Sequence, residues 1–124
     1  MDFVPSYKFF VDGLPPLPNR TRGQHWGKTY QEKTEWENRI GWLAKIYKIP
    51  ALKGKVLVTF IVQVGSNRKV DPDNLMWAVT KPSLDILQKL GILRGDSIDD
   101  VELAYKFNRG AKGFWIEIRS LALE

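Results

Sequence analysis

Val56–Val64 (Val-Leu-Val-Thr-Phe-Ile-Val-Gln-Val) restricts the fold more than any other segment. It is almost continuously apolar and rich in β-branched residues. A run of this kind reads as a central strand buried on both faces, and Gly65-Ser66-Asn67 breaks it. Residues 7–11 (Tyr-Lys-Phe-Phe-Val), 101–108 and 114–121 also read as strands. The last two are expected to be joined by Arg109-Gly110-Ala111-Lys112-Gly113 as a hairpin loop.

Residues 29–47 carry Trp36, Ile40, Leu43 and Tyr47 at steps of four, three and four, the period of an amphipathic helix. Thr29 and Glu32 have capping-box spacing at its start, and Pro50 ends the run. A second helical stretch begins at Pro72 or Asp73. Pro82 lacks an N–H and disfavours helical backbone at Lys81, so two short helices are expected, near 74–79 and 82–90. Gly91 suits the closing cap. The order predicts one α+β domain over residues 1–124, with a sheet of about four strands packed against helices.

Nineteen Lys and Arg stand against fourteen Asp and Glu, a net charge of +5 that favours a polyanionic partner. No cysteine is present, which excludes disulfides and thiolate zinc sites. The single His25 rules out a His-rich metal site, and no nucleophile motif accompanies it. No run approaches membrane-span length, and no signal-peptide core stands at the N-terminus, so a cytoplasmic protein without a membrane partner is expected.

Arg68-Lys69-Val70-Asp71-Pro72-Asp73-Asn74 places two carboxylates two residues apart beside two cations, between the central strand and a helix start. Close carboxylates repel each other and become favourable around a divalent cation. The same residues also make good turn and N-cap chemistry, and the two readings are compatible. A later acidic group, Asp96, Asp99 and Asp100, could return to the Asp71 end and supply a third oxygen ligand for Mg²⁺. An EF-hand is a poor fit, because Leu75, Met76 and Pro82 occupy positions that need an oxygen ligand, glycine and glutamate. The long Pro- and Gly-containing loop over 12–28 carries Asn19, Arg20, Arg22 and Lys28, candidate phosphate contacts, with Trp26 as a candidate stacker. Arg68 and Lys69 are expected at flanking phosphates, and Asn74 at a carboxylate or phosphate. Trp36, Trp42 and Trp77 read as core or dimer-contact residues.

The ordered series Arg68-Lys69-x-Asp71-x-Asp73-Asn74, Lys81, Asp85, Gly91 and Asp96 resembles the RusA family of Holliday junction resolvases over nearly the whole chain. Six residues separate Asn74 from Lys81, more than in the best-known members, while Lys81 keeps the family's four-residue distance to Asp85. The resemblance implies a homodimeric α+β enzyme of bacterial or phage origin that cuts four-way junction DNA symmetrically in recombination or repair. It implies Mg²⁺, with Mn²⁺ as a substitute. Asp71, Asp73 and Asp96 would be the catalytic, metal-binding carboxylates, and Lys81 the catalytic lysine. Two other readings stay open: a DNA-binding replication or recombination accessory protein without catalysis, and a nuclease that prefers flaps or other branches.

Overall fold

The computed structural model describes residues 6–16, 26–65 and 69–121, with the side chains of 26–30 outside the description. Its elements are β1 (Ser6–Asp12), α1 (Trp26–Ile46), β2 (Val56–Val64), α2 (Pro72–Lys89), β3 (Val101–Arg109) and β4 (Gly113–Ser120). The expected α+β class holds, with a four-stranded sheet and two helices among the described residues. Among the described residues no helix is long and apolar enough to cross a membrane.

The sheet runs β1-β4-β2-β3. β2 is interior, as its apolar run predicts. It pairs in parallel with β3 (Val56↔Val101 through Val64↔Arg109) and antiparallel with β4 (Val56↔Ser120 through Gln63↔Gly113). β4 in turn pairs antiparallel with β1. The hairpin expected between β3 and β4 does not exist. Residues 110–112 instead cross over the end of β2, where the Gly110 N–H donates to the Val64 carbonyl at 3.3 Å. Burial explains the choice. Phe114, Ile116 and Ile118 of β4 are fully buried and need an interior position, whereas β3 is mostly exposed and carries Glu102, Lys106 and Asn108 to an edge. Gly113 makes the insertion possible: a Cβ there would stand 2.6 Å from the Val11 carbonyl oxygen.

Alternate strand residues (Phe9, Val11, Val58, Phe60, Val62, Phe114, Ile116) form one core with Ile40 and Ala44 of α1 and Leu75, Val79 and Leu87 of α2. The opposite sheet face is only partly covered. Leu57, Ile61 and Gln63 there are half-buried, so β2 is not enclosed on both faces as expected.

Two helix expectations are corrected. α1 starts at Trp26, so Thr29 and Glu32 lie inside it rather than at the helix start expected for them. α2 is one continuous helix through Pro82. An interior proline costs about 3 kcal/mol. Leu75, Val79, Leu84 and Leu87, on both sides of it, are each buried, and each such side chain contributes about 1.5–3 kcal/mol. Breaking the helix would sacrifice more than the proline costs. Pro82 is itself buried, and Ser83 Oγ donates to the Val79 carbonyl at 2.6 Å. The expected cap at Gly91 is present. Gly91 has φ +78°, its N–H donates to Gln88 O at 3.0 Å, and the Ile92 N–H donates to Leu87 O at 3.0 Å, the paired bonds of a Schellman motif.

Candidate active site

β2 delivers the chain to the start of α2, where Asp71 is the N-cap with extended backbone (φ −76°, ψ 128°). Pro72 follows in the first helical position, which tolerates its missing N–H. Asp71 occupies the cap position, but its carboxylate makes no capping hydrogen bond; only its carbonyl joins the helix, accepting the Leu75 N–H at 3.3 Å. Asp73 lies in the first turn, where the positive end of the helix dipole favours a carboxylate. Both are exposed.

Asp73, Trp77, Lys81 and Asp85 recur every four residues and so form one ridge along α2. This ridge borders an open groove of about 400 Å³. Met76, Thr80 and Leu84 line it from the adjacent row of the helix, Tyr105 from β3, and Asp96 from the loop between α2 and β3. Tyr105 is fixed as floor: its ring stacks on Phe60 (centroids 5.5 Å apart) and Phe107 (6.3 Å), and its hydroxyl hydrogen-bonds Thr80 Oγ1.

The three late aspartates are sorted by hydrogen bonding. Arg94 Nε donates to Asp100 Oδ1 at 2.7 Å and Ser97 Oγ donates to Asp100 Oδ2 at 2.9 Å. These donors hold the Asp100 carboxyl below the usual aspartate range, Arg94 first and Ser97 second. Arg94 Nη2 also donates to the Asp99 carbonyl at 3.3 Å. Gly95 belongs to the same closure, because a Cβ there would strike the Asp100 carboxylate. Asp100 thus braces the loop, and of the three only Asp96 lines the groove.

Lys81 is 56% exposed and stands 3.5 Å from Asp85 Oδ1. The other oxygen of Asp85 meets Lys33 Nζ of α1 at 2.9 Å. Lys33 is also 3.5 Å from Glu37, a nearly buried acid that Lys89 reaches at 2.9 Å. The hydrogen bond to Asp85 holds the Lys33 ammonium above the ordinary lysine range, against the opposing effect of burial. This ion-pair chain ties the cation at the groove to the helix–helix contact.

Asp73, Asp96 and Lys81 therefore share one groove, while Asp71 stands at the adjoining N-cap outside its lining. Lys69 is exposed and Asn74 half-buried near that end. Asn19, Arg20, Arg22, His25 and Arg68 lie outside the described residues, as does the side chain of Lys28. Among the described residues no three carboxylate or imidazole groups are gathered into a ready metal cage. The donors present are exposed carboxylate oxygens. They suit Mg²⁺ or Mn²⁺: Mg²⁺ keeps several waters and is usually held by one or two carboxylates together with substrate phosphates.

Sequence reasoning missed Trp77, Thr80 and Tyr105 as groove residues, and Lys33 and Glu37 as partners of the Lys81–Asp85 pair. For Trp77 the signal was its position midway between Asp73 and Lys81. Trp77 is 59% and Trp42 65% exposed, so neither is a core residue, whereas Trp36 is half-buried against the core. Compared with known proteins, the chain matches no family model and no curated relative.

Proposed function

We propose that this chain is a Mg²⁺-dependent endodeoxyribonuclease of the RusA type, which as a homodimer resolves four-way DNA junctions by paired symmetric cuts. The observation that carries the reading is the groove shared by Asp73, Asp96 and Lys81, drawn from two separate chain segments. The net charge of +5 supports a phosphate-backbone partner.

Asp73 and Asp96 at the groove, with Asp71 at the adjoining N-cap, would hold the ion together with a substrate phosphate. When bound, Mg²⁺ or Mn²⁺ would supply Lewis acidity toward the phosphate and would lower the pKa of a water for attack on phosphorus. Lys81 lines the groove with an exposed ammonium paired to Asp85 and offsets the charge that grows on the phosphate and the leaving oxygen. Its partner Asp85 limits where that ammonium rests. Lys69 engages a flanking phosphate, and Asn74 steadies a carboxylate or phosphate at the same end. Two such sites related by a two-fold axis make the paired cuts; one alone only nicks.

The test is incubation with Mg²⁺ and end-labelled four-way, flap and linear DNA. Symmetric paired cuts confined to the four-way junction are expected. Asp73→Asn should bind the junction and leave it uncut, with cleavage reduced at least about 100-fold, the scale of losing one strong transition-state contact. Ion binding is read separately by terbium luminescence sensitised through Trp77, which Asp73→Asn should weaken. Cleavage by that variant at the normal rate would overturn the site. Binding without cleavage by the wild type would indicate the accessory protein, and equal cutting of flaps a broader branch nuclease.

A further inference from the structure

We infer that Trp77 is a stacking platform for one unpaired nucleobase beside the phosphate that is cut. This rests on the nuclease reading and names the DNA feature that the groove selects.

The aromatic residues divide by what they touch. Trp36 lies under the Arg39 guanidinium (4.3 Å) and against Phe114 (6.4 Å). Trp115 carries the Lys8 ammonium (4.7 Å) and meets Phe10 edge-on (5.1 Å). Trp77 has neither a ring nor a cation against it among the described residues, and it is 59% exposed. Trp42 is as exposed, but it sits on α1 and does not line the groove.

Position supplies the occupant. Trp77 stands four residues, a rise of about 6 Å, from Asp73 on one side and Lys81 on the other. The ridge therefore reads acid, ring, cation. The acid and the cation are the groups that handle a phosphate and its ion, and a nucleotide carries its base within such a distance of its own phosphate. The exposed carboxylates of Asp73 and Asp96 make the groove unfavourable for a second phosphate, whereas an uncharged base face meets no such penalty at the indole. Stacking on a ring is indifferent to which base is offered. Inside a continuous duplex both faces of a base are covered by its neighbours, so the platform can be used only where a nucleotide has left the stack. A branch point offers that. The groove, at about 400 Å³, is in the size range of sites for small organic groups.

The rival occupant of an exposed tryptophan is a second copy of this chain. The experiment separates the two. Affinity for a fluorescent oligo-dT strand and for a labelled four-way junction is measured in Ca²⁺ for the wild type, Trp77→Ala and Trp77→Phe, with sedimentation and circular dichroism on each. Trp77→Ala should weaken binding of both DNAs about 5- to 150-fold, the value of one base–aromatic stack. Trp77→Phe should recover most of the loss, and fold and assembly state should be unchanged. Wild-type affinity in Trp77→Ala, or no recovery in Trp77→Phe, overturns the platform while leaving the nuclease reading intact. A change of assembly state in Trp77→Ala assigns the residue to contact between copies and also overturns it. Failure of the wild type to bind either DNA removes both readings.

Discussion

Asp96, Asp99 and Asp100 are chemically alike and lie within five residues, yet only one reaches the groove. Residue type places an acidic cluster there without separating its members, and only the spacing of the RusA resemblance singles out Asp96. The choice is made by Arg94 and Ser97, whose bonds to Asp100 depend on loop geometry. Similarly, Asp71 has the residue type and backbone of a helix cap, but its carboxylate does not bond the helix, a distinction residue type cannot reveal. The Arg94–Asp100 contact gives a pH prediction. Asp100 has a lowered folded pKa, so its contribution is present above the ordinary aspartate value of about 3.9 and is lost as pH falls through the lower folded value. Denaturant unfolding of wild type and Arg94→Met should show the wild type more stable at neutral pH. The gap should persist to about pH 4 and close below it. A gap independent of pH would mean that Arg94 acts through packing alone.

The elements were legible where one periodicity dominated and illegible where two rules competed. β2 was bounded correctly because nothing in its run argues otherwise. Local rules divide α2 because the penalty of Pro82 is visible in sequence, whereas the burial of Leu75, Val79, Leu84 and Leu87 that outweighs it is tertiary. The contact between α1 and α2 was also hidden. The helices pack tightly at Gly41, where a Cβ would lie 2.9 Å from Ile86 Cγ1. Gly41→Ala gains helix propensity of about 1 kcal/mol. It also overpacks a site where the obstructing atom is near the root of its side chain, at a typical cost of about 1–3 kcal/mol. Urea unfolding should show net destabilisation in the wild-type background, and a smaller or reversed effect in an Ile86→Ala background that removes the obstruction. Equal effects in both backgrounds would refute the close contact. Because Lys33, Asp85 and Lys81 span the same helix pair, a shift there also moves the cation at the groove.

At the scale of the whole molecule, class and strand count were legible, and strand order was not. Short loops suggest hairpins, and the three residues between β3 and β4 look like one. The outcome was decided by which strand has enough apolar surface for the interior, a comparison across the entire sheet. The proposed two-fold enzyme carries its own prediction at this scale. A mixed dimer of one wild-type and one Asp73→Asn subunit should nick a junction on one strand and fail to release linear duplexes. Release at the wild-type rate would mean that one site makes both cuts. The insertion of β4 has a consequence for the history of each molecule. β1 is made first but touches the sheet only through β4, the last described strand, and β4 closes contacts across more than a hundred residues. Such long-range pairing is slow to form. A chain emerging from the ribosome can wind its helices and bring β2 beside β3, but β1 has no strand partner until residues 113–119 have been made. Any chain cut short before Gly113 lacks the strand that joins β1 to β2 and cannot complete the sheet.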